Sequence, residues 1–370
     1  MFSLDDLKRA TDVVRSVMPP TPQYAWPLLK QRFGIEVVVK HENHTPIGAF
    51  KVRGGLTYVE RLKRERTQVK GIVSATRGNH GQSLAFAGRH FEVPVVVVVP
   101  HGNSVEKNAA MRAFGAETVE HGFDFDDAKQ RATELANERG YEYVPSFHPD
   151  LIVGVATYAH ELFHAHPDLE VVYAPIGLGS GICGLIRTRD LLGLRTDIVG
   201  VVSSLSNAYR LSFDAGRVVP INSASTFADG IAVRVPDENA VAVIRSGARS
   251  VVEVSDDEIG TGIRIYHEDT HNLAEGAGAA ALAGLAVDRD RSRARKVAVI
   301  LSGANMDRPW ASLVLRLRTH KGDSARIGFV IQRLQREAID ESGSFLAFKA
   351  AVRTDRAAPA RRHAGQAQGR

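Results

Sequence analysis

Cysteine is nearly absent from this chain. One residue, Cys183, stands among 370, so an intramolecular disulfide is impossible and a thiolate metal cluster has no ligand set. Long apolar runs are missing too. The longest, VPVVVVVP from Val93 to Pro100, is far too short to span a bilayer. The N-terminal MFSLDDLKRATDVV has early acidic residues and no apolar stretch of the kind a secretion signal needs. These absences point to a soluble, cytoplasmic protein with no membrane partner. Charge of one sign is in small surplus, with a net +5. Many of the basic residues fall in the final VRTDRAAPARRHAGQAQGR, at Arg353, Arg356, Arg361, Arg362 and Arg370. An Ala/Arg/Gln tail of this kind buries too little apolar surface to fold and reads as disordered. Its charge is weak ground for a nucleic-acid partner, and none is expected.

What is present is apolar. A hydrophobic share of 44% in 370 residues supports a large core split over two domains. Six short runs, IEVVVKHE, GIVSAT, VPVVVVVP, EVVYAPIG, DIVGVVSS and KVAVILSG, are rich in β-branched residues and continuous rather than alternating. Such runs mark strands buried on both faces of a parallel sheet. Between them, GQSLAFAGRHF and SVEKNAAMRAFGA carry apolar residues near helical spacing. Strand and helix alternate along the chain, which argues an α/β fold. Three strands run into polar or glycine-rich turns: RGNHG, GLGSGICG and SGANMD. Ligands of open α/β sheets bind beyond the carboxyl ends of strands, so the three turns are expected to converge on one ligand.

The turn PIGLGSGICG places Gly177, Gly179, Gly181 and Gly184 between a strand and a helix. Glycines let backbone N–H groups approach an anion, and a helix N-terminus adds partial positive charge. A phosphate is favoured here over a bare turn. Gly179, Gly181 and Gly184 also satisfy the dinucleotide fingerprint. That fingerprint wants an acid at the end of the following strand. DIVGVVSS ends in Ser203 and Ser204, and its Asp197 stands at the wrong end. A single phosphate group remains.

Upstream, HTPIGAFKVRGG sets Lys51 after a Thr-Pro-Ile-Gly turn. A lysine beside a phosphate site suits covalent capture of an aldehyde, and a phosphorylated aldehyde cofactor is pyridoxal phosphate. KHENHTPIGAFKVRGG resembles the covalent-lysine segment of the fold-type II pyridoxal-phosphate enzymes, the threonine/serine dehydratase and serine racemase family. SATRGNHGQS resembles their substrate-carboxylate loop, TFADGIAV a further family segment, and LSGANMD the stretch near the cofactor ring nitrogen. The matches stand in order from about Thr21 to Asp307.

The resemblance implies two open, twisted, mostly parallel sheets flanked by helices, with pyridoxal 5′-phosphate between two domains. Residues 1–70 and 149–320 would form the large domain, 71–148 the small one, and 321–370 an extension. Lys51 becomes the covalent anchor and the base that takes the Cα proton; burial would depress its pKa as that role requires. Phe50 packs near the ring. Gly177, Leu178, Gly179, Ser180 and Gly181 hold the phosphate. Asn79 hydrogen-bonds the 3′-oxygen, and Thr76, Arg77, Gly78, Asn79 and His80 receive the substrate. His80 either contacts a ligand or serves in capping and packing. Ser302 faces the ring nitrogen without protonating it, which favours rapid loss of a β-hydroxyl, and it is also placed to cap the next helix. Glu275 either lies close to the ring or is a plain helix-start carboxylate.

Three departures matter. Arg77 replaces the serine that acts as the second acid/base in racemases. Arginine stays charged and cannot serve that role, although its fork could hold a substrate carboxylate, α or distal; otherwise it turns outward and Thr76 fills the place. GLGS replaces the family's frequent four glycines. SSLSNAYR offers Ser204, Ala208 and Arg210 where metal-binding relatives place carboxylates, so no metal is expected. The whole implies a dehydratase releasing a 2-oxo acid and ammonia from L-threonine or a related β-hydroxy amino acid. Racemisation or β-replacement is the alternative, and a homodimer or higher homo-oligomer is the usual assembly. Too little chain follows for the large regulatory domain of the long-form dehydratases, so feedback by isoleucine is not expected.

Overall fold

The computed structural model describes residues 1–66, 68–289 and 293–316. The expected extension, 321–370, lies outside the described residues. Ten strands are described: β1 (Gln23–Ala25), β2 (Glu36–His41), β3 (Ile72–Ala75), β4 (Val95–Val99), β5 (Glu117–Glu120), β6 (Glu142–Tyr143), β7 (Val171–Pro175), β8 (Asp197–Ser203), β9 (Ser250–Val254) and β10 (Lys296–Leu301). They form a six-stranded sheet of order β1-β2-β10-β7-β8-β9 and a four-stranded sheet of order β5-β4-β3-β6. Every pairing is parallel except that of β1 with β2. The fold is α/β, with helices over both sheets.

Both faces of each sheet are covered, which explains the continuous apolar runs. Along β10, Val297, Val299 and Leu301 enter one core cluster and Ala298 and Ile300 the other. In the smaller sheet Val95, Val97 and Val99 of β4 face one core, and Val96 and Val98 the opposite one. A strand with two buried faces has no position for an exposed polar side chain. Among the described residues, no helix is long and apolar enough to cross a membrane.

This topology builds one place for the site. β2, β10 and β7 are neighbours, so their carboxyl ends lie side by side. β10 runs directly into Ser302 and β7 into the Gly177 turn; β2 leads through a longer turn to the helix Lys51–Glu65. That last turn is zipped to the end of β10. Phe50 N donates to Ser302 O at 3.0 Å, and Ala304 N to Gly48 O at 2.9 Å. β3, in the smaller sheet, delivers Thr76–Gly78 to the start of the helix Asn79–Phe91. The two helices approach closely: a Cβ at Gly55 would come within 2.7 Å of Ser83 O, and Ser83 Oγ donates to Lys51 O at 2.6 Å.

Candidate active site

A cavity of about 750 Å³ opens where these turns meet. The residues expected from the sequence all line it: Phe50 and Lys51, Thr76–His80, Gly177–Gly181, Glu275 and Ser302. Lys51 is the first residue of its helix, and its Nζ donates to Ser180 Oγ at 3.2 Å. Loss of water around the amine lowers its pKa from the ordinary 10.5 to about 8. A carboxylate beside it would oppose that shift, and no ion pair reaches Lys51 among the described residues. Its Nζ lies 5.2 Å from the centre of the Phe50 ring.

The glycine turn opens the helix Ser180–Leu191. Gly179 takes a φ of +100°, which a side chain would strain. Two tyrosines hold the turn's carbonyls. Tyr209 Oη donates to Leu178 O and Tyr158 Oη to Gly181 O, each at 2.9 Å. Among the described residues, no protein acceptor meets the N–H groups of Leu178, Gly179, Ser180 and Gly181. Four free donors at a helix start form an anion nest. Gly184 lies outside the turn in which the sequence grouped it. It lies inside that helix, where a Cβ would come within 3.1 Å of the Ala156 backbone, so it serves close helix packing.

At the second wall, Gly78 N donates to Thr76 Oγ1 at 3.0 Å, which bends the chain into the Asn79 helix. Asn79 Nδ2 donates to Glu275 Oε1 at 2.7 Å. His80 is buried, and desolvation with the nearby Lys51 charge lowers its pKa to about 3; its Nε2 has no partner. It is a neutral imidazole on the cavity wall, not a cap. Arg77 is exposed at the rim, with neither a hydrogen bond nor an ion pair among the described residues, near enough to help lower the pKa of Asp124.

Neither Glu275 nor Ser302 makes a helix-capping bond. Glu275 precedes the helix Gly276–Asp288, but its side chain makes no capping bond. Instead it is buried with no hydrogen bond to Oε2, and burial raises its pKa although Lys107 Nζ, 3.9 Å from Oε2, pulls the other way. Ser302 does not cap a helix, because the next one starts at Arg308. The stretch after β8 is occupied by its own pairs: Arg210 donates to Asp214 at 2.7 Å and to Val251 O at 2.5 Å. No cluster with metal-ligand geometry occurs among the described residues.

Some of the site had no role assigned from the sequence. Lys107 lines the cavity from the helix Val105–Ala113, 2.5 Å from Asp229. Asn305 Nδ2 donates to Asn79 Oδ1 at 2.8 Å. Behind Lys51, Arg53 is wholly buried between Glu42 (2.7 Å) and Glu161 (2.9 Å), and Lys40 Nζ meets Glu161 at 2.6 Å. Two buried cations and two carboxylates thus offset each other beneath the first turn of the Lys51 helix, and Arg15 reaches Glu161 from the surface side at 3.4 Å. Lys40, Glu42 and Arg53 lie inside the KHENHTPIGAFKVRGG segment with no role read from it, and Glu161 lies in none of the segments singled out from the sequence.

A desolvated amine, an anion nest and a buried neutral hydroxyl at Ser302, all on one cavity, fit a phosphorylated aldehyde. The model for the pyridoxal-phosphate dependent enzymes matches residues 14–303. The chain belongs to that family. As a pyridoxal-phosphate dependent enzyme it is 31% identical to a biosynthetic L-threonine dehydratase of Pasteurella multocida, over 80% of this chain and 58% of that one. It is 30% identical to an L-threo-3-hydroxyaspartate ammonia-lyase of Saccharomyces cerevisiae, over 84% of this chain and 95% of the relative. The chain therefore spans under two thirds of the first relative's length and nearly all of the second's. Among solved structures, the processed form of threonine deaminase isoform 2 from Solanum lycopersicum superposes with a TM-score of 0.78 at 29% identity, over 85% of this chain and 95% of that one.

Proposed function

We propose that this enzyme is an ammonia-lyase that removes water from L-threonine or a related β-hydroxy amino acid and releases a 2-oxo acid and ammonia. The observation that carries the reading is the Lys51 amine, desolvated and without a carboxylate partner, on the same cavity as the anion nest and Ser302. Bound there, pyridoxal phosphate supplies an aldehyde for covalent capture of an amine and a ring that acidifies Cα.

The chain's own residues then have distinct tasks. The N–H groups of Leu178, Gly179, Ser180 and Gly181 bind the phosphate. A Lys51 pKa near 8 leaves part of the amine unprotonated near neutral pH, ready to take the Cα proton. Thr76–His80, at a helix start, hold the substrate carboxylate. Ser302 offers the ring nitrogen a hydroxyl, which does not protonate it, so elimination of a β-hydroxyl outruns other fates. His80 stays neutral and shapes the cavity without adding charge.

The reading also divides the chain into a cofactor domain of residues 1–70 and 149–320 and a small domain of 71–148. It places the enzyme in the cytoplasm, as a homo-oligomer. The domain division and the assembly rest on the resemblance to the dehydratases and racemases; the cytoplasm rests on the absence of a secretion-like N-terminus and of membrane-length apolar runs. The test is a panel of L-threonine, L-serine and L-threo-3-hydroxyaspartate assayed for 2-oxo acid. Release from at least one supports the reading, and silence from all three in cofactor-loaded enzyme defeats it.

A further inference from the structure

Asn79 presents an amide with two unlike ends, and only one of them donates. Which end faces the ligand is decided by a chain of bonds that starts at a backbone carbonyl. Ile47 O is a fixed acceptor, so the Asn305 atom 2.7 Å from it must be Nδ2. The same Nδ2 lies 2.8 Å from Asn79, and its two hydrogens are then both committed. The Asn79 atom facing it must be an acceptor, Oδ1. Asn79 Nδ2 is thereby turned to the other side, where one hydrogen goes to Glu275 Oε1 at 2.7 Å. One hydrogen remains.

The Lys51 turn seats this chain. A Cβ at Gly48 would come within 2.8 Å of Asn305 Oδ1, and Gly48 sits at a φ of +68°. A glycine there lets Asn305 lie flat against the turn. Ala304 N, donating to Gly48 O at 2.9 Å, ties the two segments together.

We infer that Asn305 is a positioning residue that fixes the Asn79 amide so that its free N–H, not its carbonyl, meets the 3′-oxygen of the cofactor. The inference rests on the reading of Asn79 as the donor to that oxygen. Without the Asn305 donor, Asn79 is free to rotate. An aspartate at 305 goes further: having no N–H, it draws Asn79 Nδ2 toward itself and turns the carbonyl to the oxygen.

The test is a double-mutant cycle with two readouts, the dissociation constant of pyridoxal phosphate and the visible absorption maximum of the loaded enzyme. The proteins are the full chain as wild type, Asn79→Ala, Asn305→Asp and the double variant. Asn305→Ala is run beside them in both backgrounds, since a new carboxylate could unfold the turn. In the wild-type background each Asn305 variant is expected to weaken cofactor binding by about tenfold, the worth of a hydrogen bond, and to shift the absorption maximum. In the Asn79→Ala background neither is expected to change binding by more than about twofold or to move the band. Equal losses in the two backgrounds overturn the inference, because a merely structural Asn305 would act regardless of Asn79. An effect of Asn79→Ala with none from either Asn305 variant overturns it as well. If Asn79→Ala itself leaves affinity and absorption unchanged, the reading of Asn79 fails and takes the inference with it.

Discussion

Replacing Lys51 by methionine should make the cofactor-free protein more stable while abolishing turnover. The amine is held where its pKa is about 8, against 10.5 in water. The unfolded chain therefore binds the proton more tightly than the folded one, and stability rises with pH between those values. Below about pH 8 the whole penalty applies; it fades as pH climbs toward 10.5. The gap is worth ~3 kcal/mol at pH 7. Methionine removes that cost and fills similar space, but leaves the buried Ser180 hydroxyl without its partner, a loss of about 1 kcal/mol. The net expectation is a gain of ~2 kcal/mol at pH 7 that largely disappears by about pH 9.5. Urea unfolding of both cofactor-free proteins at the two pH values, followed by tryptophan fluorescence, measures it. A methionine variant less stable than wild type at pH 7, or a difference indifferent to pH, would refute the reasoning.

Arg53→Met should cost ~3–5 kcal/mol, because it removes the one fully buried guanidinium between Glu42 and Glu161 and leaves them only Lys40 and the half-exposed Arg15, 3.4 Å from Glu161. Denaturant midpoints report it, and a loss under about 1 kcal/mol would show that the network contributes little. His80 should remain neutral down to about pH 3, so its ring resonances in the cofactor-free protein, assigned with His80→Asn, should not move between pH 5 and 8. A midpoint near 6.5 would place the ring in water instead. Arg77 should favour a second carboxylate: Arg77→Ala is expected to lower kcat/KM for L-threo-3-hydroxyaspartate by about tenfold or more and for L-threonine by less than about threefold. Equal effects on both substrates would return Arg77 to the solvated rim. Loaded wild-type enzyme given L-serine should form pyruvate far faster than D-serine by chiral analysis, and comparable rates would contradict the loss of the second acid/base at that position.

The interior of the fold was legible and its edges were not. All six apolar runs became β2, β3, β4, β7, β8 and β10, the inner strands of the two sheets. The four strands without such a run, β1, β5, β6 and β9, are the sheet edges. Their residues are largely half-buried or exposed, so Glu117–Glu120 and Gln23–Ala25 need no continuous apolar stretch. The cavity was legible where a backbone peculiarity or a reactive group leaves a local pattern, as in the glycine turn, Lys51 and the RGNHG loop. Asn305, Lys107 and Tyr209 act from far along the chain. Asn305 meets Asn79 across 226 positions, and Lys107 meets Asp229 across 122. No local spacing announces such pairs. Gly184 shows the opposite error, a glycine grouped with the turn by its nearness in sequence and in fact set by helix packing.

The central claim is that Lys51 holds the cofactor covalently. Borohydride reduction of the loaded enzyme, followed by proteolysis and mass spectrometry, should place a pyridoxyl adduct on the peptide containing Lys51 and bleach the visible band. Lys51→Ala should fold, lack the adduct and lack turnover. An adduct on a different lysine, with activity surviving in Lys51→Ala, would contradict the account.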